Sequence, residues 1–371
     1  MKLLNSKRKS KNGKNNLIKK YKNKRFIKRN LYFNISLLLI IILFFFPFST
    51  FLIFVNYFYK SRTNNNNMLL NKKGDFEVDM IPPEKYERNI LDEIKTKIIG
   101  KPLLTFNELY FINGLIRKYK PKKIIEIGVC TGGTSAAILN AIKDIEGAKL
   151  YSCDLEKSNY LNNKYEVGYI VKNYFPELLK NWKLFTGNTT SAFIEEIGGD
   201  IDFAFIDTAH VMPGEVLNII EILPFLKKNA IISFDDIAHH SKYKSVNLKN
   251  FHACNNLLFS VLRGKKIIFE HNSNKTFDFP KLGAVILDDN QEKYFYEYFY
   301  LLTNSWSYMP NKFEIDAIRY IVEKYYDPFL LSMFDKAVEL NYNYLKFRGL
   351  LNKDYILYTF KNVKRKNPFN P

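Results

Sequence analysis

The stretch at residues 122–134, KKIIEIGVCTGGT, constrains the fold of this chain more than any other part of the sequence. It begins as a short β-branched run that carries one acid, Glu126, and continues as a turn containing Gly128, Gly132 and Gly133. A helical pattern, SAAILNAIKDI, follows directly. A strand that leads through a glycine-rich turn into a helix lets backbone N–H groups and the positive helix end approach a ligand closely. Because the spacing G-x-x-x-G-G differs from the dinucleotide pattern G-x-G-x-x-G, the turn predicts a ligand site without naming its ligand.

The segments after this turn alternate between apolar strands and amphipathic helices, which predicts an α/β fold with a doubly wound, mostly parallel sheet. Further strands are predicted at residues 149–153, 183–186, 201–206 and 230–234, followed by closing strands at 265–270 and 282–287. Two helices precede the sheet. The first begins at Pro83, and the second begins with a capping box formed by Thr105 and Glu108 and ends at Pro121.

Each of the first four predicted strands carries a polar residue near its carboxyl end: Glu126, Asp154, Asn188 and Asp207. Ligands of open parallel sheets bind outside these strand ends. Asp154 comes 28 residues after Glu126, where an acid can accept hydrogen bonds from ribose hydroxyls. Any one of these residues could instead be a helix N-cap. The agreement of four strand ends favours a nucleoside site.

A second group of residues follows strands four and five: Asp207-Thr-Ala-His210 and the pair Asp235-Asp236. If these strands are neighbours, three carboxylates and one imidazole converge. Clustered carboxylates repel each other unless a cation neutralises them, and oxygen ligands suit a hard ion such as Mg²⁺. This interpretation makes Asp207, Asp235 and Asp236 metal ligands and His210 a general base. The alternative is a set of helix caps and a structural histidine.

Three nearby residues receive lesser roles. Glu215, in PGE at the start of the next helix, is predicted to be a partner of the helix dipole. His239 and His240 are predicted to be surface residues or secondary contacts of the pocket.

The segments IIEIGVCTGGTS, CDLE, FIDTAH with PGE, and IISFDD together resemble the class I S-adenosylmethionine-dependent methyltransferases. Within that class they most resemble the group that contains macrocin-type sugar O-methyltransferases and cephalosporin-hydroxylase-like proteins, over about residues 100–290. The resemblance implies a seven-stranded Rossmann-like sheet with one antiparallel strand, and S-adenosylmethionine as cofactor. It also implies Mg²⁺-dependent methyl transfer to a hydroxyl of a sugar or glycan-like small molecule.

Carried over to this sequence, the resemblance places the magnesium ion at Asp207, Asp235 and Asp236 and the catalytic roles at His210 and Asp207. The residues expected to bind the cofactor are Glu126, Gly128, Thr131, Gly132, Gly133, Ser135, Asp154, Asn188 and Asp207.

Two other hypotheses stay open. One is a catalytically silent, membrane-anchored module that binds a nucleoside or glycan, which the intact set of acids and histidine disfavours. The other is a nucleic-acid methyltransferase. Residues 1–30 contain 13 Lys or Arg and no acid, which leaves +6 of the net charge of +19 for the rest of the chain. Because the excess charge lies in this tail, no nucleic-acid partner is expected, and the tail is predicted to bind anionic lipid.

The uncharged residues 31–59 are predicted to be a transmembrane anchor, since residues 35–55 alone are long and apolar enough to cross a bilayer. The basic tail before it favours a cytoplasmic N-terminus and an external main domain. Pro47 would permit a re-entrant hairpin, and the cytosolic supply of S-adenosylmethionine favours a catalytic domain on the cytoplasmic face. The sequence leaves single-pass and re-entrant topologies open.

The remaining boundaries follow from composition. Residues 60–80 are predicted to be a linker, 81–289 the methyltransferase domain and 290–371 a helical, aromatic-rich C-terminal region. The Tyr and Phe residues of that region have the spacing of packed helices. Cys130, Cys153 and Cys254 form no metal motif or disulfide framework and are expected to be buried. Nothing in the sequence determines the oligomeric state.

Overall fold

The computed structural model describes residues 85–97, 104–242, 252–268 and 281–351. All of them lie in one compact unit, residues 72–371. The basic tail, the predicted anchor at residues 31–59 and the linker at 60–80 lie outside the described residues. Among the helices that are described, none combines the length and the apolarity needed to cross a membrane.

A seven-stranded sheet with the order β3-β2-β1-β4-β5-β7-β6 forms the centre of this unit. The strands β1 to β5 run parallel, and β7 is antiparallel to both of its neighbours, β5 and β6. This arrangement confirms the predicted mostly parallel sheet with one antiparallel strand. The strands are β1 (Lys123–Ile127), β2 (Lys149–Asp154), β3 (Trp182–Thr186), β4 (Ile201–Ile206), β5 (Leu226–Phe234), β6 (Gly264–Ile268) and β7 (Gly283–Leu287).

Helices connect and cover the strands. The α-helices are α1 (Lys85–Lys97), α2 (Phe106–Tyr119), α3 (Gly133–Ile142), α4 (Tyr169–Tyr174), α5 (Ile194–Ile197), α6 (Gly214–Ile222), α7 (Cys254–Val261), α8 (Phe295–Tyr300), α9 (Lys312–Tyr325) and α10 (Pro328–Phe347). Short 3₁₀ turns are formed by Pro176–Asn181, Thr190–Ala192, Leu223–Phe225, His239–Lys242, Gln291–Tyr294 and Leu301–Thr303.

The predicted start of the second helix is confirmed by its hydrogen bonds, whereas the start predicted at Pro83 lies outside the described residues. Thr105 caps α2: its Oγ1 accepts from the Glu108 amide, and the Glu108 carboxylate accepts from the Thr105 amide at 2.5 Å. Asp327 caps α10, because its Oδ1 accepts from the Leu330 amide at 2.9 Å. Such caps satisfy backbone donors that a helix cannot pair internally, each contributing about 1 kcal/mol.

Apolar side chains fill both faces of the sheet. On one face, α1, α2 and α3 bury residues such as Phe111 against Phe205 of β4. On the other face, α6 and α7 pack together with the C-terminal helices α8, α9 and α10, which bury Phe299 and Phe334. The C-terminal helices therefore share a core with the sheet. Burying side chains of this size contributes about 1.5–3 kcal/mol each. The three cysteines are buried and free, as expected.

Candidate active site

A cavity of about 520 Å³ opens at the carboxyl ends of the parallel strands. Its walls come from the turns after β1, β2, β3, β4 and β5, from α1 and α2, and from residues 308–318 of the C-terminal region. Six of the nine predicted cofactor-binding residues line it: Gly128, Thr131, Gly133, Asp154, Asn188 and Asp207. The predicted base and metal ligands line the same cavity: His210, Asp207, Asp235 and Asp236.

Asp154 organises the turn after β1. Its Oδ2 accepts hydrogen bonds from the amides of Val129 and Cys130, both at 3.0 Å, and its Oδ1 accepts from the amide of Glu156 at 2.9 Å. Burial raises the pKa of the Asp154 carboxyl, and these three backbone donors oppose that rise. The residue that was predicted to contact a ribose therefore also holds the glycine-rich turn in place.

The three other predicted cofactor residues lie behind the cavity wall. Glu126 is fully buried, and its Oε2 accepts from the hydroxyls of Ser135 and Ser152, each at 2.6 Å. Burial raises the pKa of Glu126 to about 7 although these two hydrogen bonds lower it. Gly132 packs against Gly168, where a Cβ on Gly132 would lie 2.8 Å from the Gly168 Cα. Glu126, Gly132 and Ser135 thus pack beneath the turn, outside the cavity lining.

Asp207, His210 and Asp235 form the cluster that could hold a metal ion. Each offers one ligand atom, and these atoms lie within 4.8 Å of one another. Asp235 is buried, and its Oδ1 has no hydrogen-bond partner within the described part of the chain. A buried carboxylate oxygen of this kind is costly unless a cation or donor meets it, so this donor set fits a divalent ion.

Asp236, the third predicted ligand, lies beside this cluster and has a further partner in His239. Its Oδ2 lies 2.5 Å from Nδ1 of His239 and 3.5 Å from Nε2 of His210. Burial alone would raise its pKa, but the hydrogen bond from His239 and the charges of His210 and Lys281 hold the pKa of Asp236 well below its usual range. Asp207 and Asp236 thus both lie close to Nε2 of His210, and the carboxylate of Asp236 is in addition engaged with His239.

His210 is held on both sides of its ring. Its Nε2 lies 3.3 Å from Asp207 Oδ1, toward the cavity. Its Nδ1 lies 3.3 Å from Glu215 Oε1, which also accepts from the His210 amide at 2.5 Å. Burial disfavours the imidazolium, but hydrogen bonds to Asp207 and Glu215 outweigh it and raise the pKa of His210 well above its ordinary value.

The orienting role of Glu215 was missed by sequence reasoning, which treated this residue as a partner of the helix dipole. Glu215 is fully buried and also accepts from the hydroxyl of Thr208 at 3.1 Å. An acid surrounded by apolar residues in GEVLNIIEI was the signal available in the sequence, because a buried carboxylate needs a partner.

Lys281 is a second residue that the sequence analysis missed. Its Nζ lies 3.0 Å from Asp235 Oδ2, 3.7 Å from Asp236 Oδ1 and 3.8 Å from Glu108 Oε2. The residue stands two positions before β7, whose Gly283 pairs with Phe234 at the end of β5. Antiparallel pairing of β7 therefore brings Lys281 to the carboxyl end of the parallel strands.

The C-terminal region also reaches the cavity, through Tyr308, Met309, Pro310, Glu314 and Ile318. The Ser307 amide donates to the Met212 carbonyl at 2.9 Å, which ties this segment to the loop after β4. The segment lies beyond the part of the chain in which motifs were recognised, so sequence reasoning gave it no role at the site.

Residues 125–237 match a family model described as a methyltransferase domain. The match begins in β1, includes β2 to β5 and ends directly after Asp235 and Asp236. This part of the chain is a class I S-adenosylmethionine-dependent methyltransferase domain. The cavity of the methyltransferase domain is therefore the place where its cofactor and acceptor have to meet.

Comparison with curated protein sequences gave no match. Solved structures similar to the chain include the O-methyltransferase from Bacillus cereus in complex with SAH, with 13% identity, a TM-score of 0.41 and coverage of 56% of this chain and 93% of the other. An O-methyltransferase from Streptomyces achromogenes involved in tomaymycin synthesis, in complex with SAM, has 10% identity, a TM-score of 0.41 and coverages of 56% and 92%. The SAH-bound methyltransferase of Podospora anserina has 16% identity, a TM-score of 0.38 and coverages of 57% and 91%.

Proposed function

We propose that the methyltransferase domain transfers the methyl group of S-adenosylmethionine to a hydroxyl of a sugar or glycan-like small molecule, with a divalent ion such as Mg²⁺ at Asp207 and Asp235. The observation that carries this proposal is that the cluster of Asp207, His210 and Asp235 faces the same cavity as the glycine-rich turn and Asp154. The proposed sites for the nucleoside cofactor and for activation of a hydroxyl would thus share one cavity.

The cofactor side of the cavity lies at the ends of β1, β2 and β3. Gly128, Thr131 and Gly133 allow close approach to the turn, and Asp154 and Asn188 offer polar groups for the ribose and the base of the cofactor. The Asn188 side chain is fixed, because its Oδ1 accepts from the Thr189 amide at 2.9 Å. Preorganised polar groups of this kind lower the ordering cost of binding.

The acceptor side lies at the ends of β4 and β5. In its neutral form, His210 would accept the proton of an acceptor hydroxyl at Nε2, the ring nitrogen that faces Asp207, while the hydroxyl oxygen attacks the methyl carbon. The acids around the ring raise the pKa of His210, so the neutral form is favoured at higher pH and by a cation that takes up the charge of Asp207. The carbon–sulfur bond breaks, and its electron pair stays on sulfur, which turns the sulfonium into a neutral thioether. A divalent ion at Asp207 and Asp235 would supply positive charge that favours the ionised form of the acceptor hydroxyl.

Glu215 and Asn255 support this chemistry from behind the imidazole. Glu215 lies 3.3 Å from His210 Nδ1. The Asn255 amide nitrogen lies 3.1 Å from the same atom and donates to the Asp235 carbonyl at 2.8 Å. These contacts fix the plane of the ring and connect it to the end of β5, so that Nε2 points at the cavity.

The class of acceptor rests on the resemblance to macrocin-type sugar O-methyltransferases, and the polar groups of Tyr308 and Glu314 on the cavity wall suit a hydroxylated molecule. The test uses the full-length protein with S-adenosylmethionine labelled in the methyl group, Mg²⁺, and a panel of sugars and nucleotide sugars. Label transferred to a hydroxyl of one of these acceptors supports the proposal. Cofactor binding by calorimetry without transfer to any acceptor would favour the silent binding module.

We also infer that residues 31–59 anchor the protein in a membrane, that the basic tail binds anionic lipid, and that the methyltransferase domain works on the cytoplasmic face. The apolar length and the tail's charge support the first two statements, and the cytosolic origin of the cofactor supports the third. Protease added to sealed spheroplasts tests the orientation: protection of the C-terminal domain is expected, and its digestion from outside would contradict it.

A further inference from the structure

Charges are unevenly distributed around the proposed metal cluster. The carboxylates of Asp235, Asp236 and Glu108 all lie within 4 Å of one ammonium group, that of Lys281. Asp207, whose ligand atom lies within 4.8 Å of that of Asp235, adds another acid. In the described part of the chain, the ammonium group of Lys281 thus lies among carboxylates that would otherwise repel each other.

The position of Lys281 is set by the backbone. Its carbonyl accepts a hydrogen bond from the Ile237 amide at 2.9 Å, which joins the start of β7 to the loop after β5. Glu108 reaches the lysine from the first turn of α2, where its other contact is the capping box with Thr105. Three separate elements therefore hold the ammonium group beside Asp235.

The two oxygens of Asp235 have different surroundings. Oδ2 receives Lys281 at 3.0 Å, whereas Oδ1 is buried and has no hydrogen-bond partner among the described residues. A divalent ion bound to Asp235 would stand close to the ammonium group, and two cations near one carboxylate repel each other strongly in a partly buried site. The lysine neutralises the acids and, by the same charge, opposes a second cation.

We propose that Lys281 is a built-in counter-ion that competes with a divalent ion for the Asp235 carboxylate and keeps the affinity of this site for metal low. The inference rests on the metal site of the proposed function, and it concerns a residue outside the recognised motifs. In the absence of metal, Lys281 stabilises the acids of the cluster. When metal is bound, its charge weakens the complex, so metal occupancy depends on the ambient ion concentration.

The experiment measures Mn²⁺ binding to the full-length protein by calorimetry and by the electron paramagnetic resonance signal of free Mn²⁺, without cofactor or acceptor. We expect Lys281→Met to bind Mn²⁺ at least about tenfold more tightly than the wild type. Lys281→Arg, which keeps the charge, should retain the wild-type affinity. Lys228→Met is the matched control, because Lys228 is exposed near the start of β5, the strand whose other end leads into Asp235.

A second readout is thermal unfolding with a chelator or with Mn²⁺. In chelator, Lys281→Met should unfold at a lower temperature than the wild type. Mn²⁺ should raise the unfolding temperature of Lys281→Met by more than it raises that of the wild type. If this variant fails to fold, Lys281→Gln provides the same test, because it removes the charge and keeps a hydrogen-bond donor. Equal or weaker Mn²⁺ binding in the neutral variants would overturn the inference while leaving the proposed metal site intact. Absence of Mn²⁺ binding in every variant would overturn both.

Discussion

Gly128 and Asp207 touch through their backbones where β1 and β4 end. A Cβ atom built on Gly128 would lie 1.8 Å from the carbonyl oxygen of Asp207, and the φ angle of Gly128 is +92°. Since the contact involves backbone atoms, no side-chain movement can relieve it. Gly128 therefore sets the distance between the glycine-rich turn after β1 and Asp207 at the end of β4.

We expect Gly128→Ala to destabilise the fold by more than about 2 kcal/mol, because the left-handed backbone and the clash with Asp207 both oppose a Cβ. Gly147→Ala is the control: Gly147 has a φ of +74°, but nothing lies within 4 Å of its Cβ position. That variant should lose only about 1 kcal/mol from backbone strain. Denaturant unfolding of both variants measures the difference, and equal losses would show that the contact is unimportant.

Burial of Glu126 predicts a pH-dependent stability. Its pKa is raised from 4.5 to about 7, so the folded state holds its proton more tightly than the unfolded state does. Stability from this group is fully present below pH 4.5 and is lost as the pH rises through about 7. Glu126→Gln removes the titrating group. Between pH 4.5 and about 7, its free energy of unfolding should therefore rise relative to that of the wild type by up to about 3 kcal/mol. Unfolding measured from pH 4.5 to pH 8 tests this, with exposed Glu146→Gln as the control.

Asp154→Ala should weaken cofactor binding by more than about tenfold, because the turn loses the acceptor of two backbone hydrogen bonds and the ribose loses its partner. Calorimetry with S-adenosylmethionine measures the affinity, and circular dichroism checks the fold. Exposed Asp144→Ala should bind normally. Gly132→Val is a poorer test of cofactor contact, because the added side chain would push on Gly168. If Asp154→Ala binds S-adenosylmethionine with native affinity, Asp154 does not contribute to the cofactor site.

Much of this architecture could be predicted from local sequence. The apolar runs of β1 to β5 and the polar residues at their ends follow from a buried parallel sheet, so Asp154, Asn188 and Asp207 were found where they were expected. The roles of Glu215 and Lys281 depend on tertiary contacts. Lys281 reaches Asp235 only because β7 pairs antiparallel with β5, a relation between residues that are 46 positions apart.

Adjacent residues that look equivalent in sequence can have different partners in space. The pair Asp235-Asp236 was predicted to act as two ligands of one ion. Asp236 has a left-handed backbone with a φ of +52°, and its Oδ2 lies 2.5 Å from His239 and 3.5 Å from His210, whereas Oδ2 of Asp235 lies 3.0 Å from Lys281. Such a conformation costs free energy for a residue with a side chain, and a linear motif does not reveal it.

This difference in partners predicts different effects for two neighbouring substitutions. Asp235→Asn should weaken Mn²⁺ binding by at least about tenfold, because it removes a ligand charge from the cluster. Asp236→Asn should leave the affinity within a few-fold of the wild type, because its carboxylate is engaged with His239. Calorimetry on both variants decides the matter. A larger loss of Mn²⁺ affinity in Asp236→Asn than in Asp235→Asn would show that Asp236 is a ligand of the ion, as the motif predicts.

The proposed mechanism requires His210 to take the proton of an acceptor hydroxyl in methyl transfer. The most direct measurement is the rate of transfer from labelled S-adenosylmethionine by the wild type and His210→Ala, at saturating cofactor and with an acceptor found in the screen. A base acts only in the transition state, so we predict a rate lower by about 10²- to 10⁴-fold with unchanged affinity for the cofactor. Transfer by His210→Ala at the wild-type rate would rule out this role and make the histidine structural.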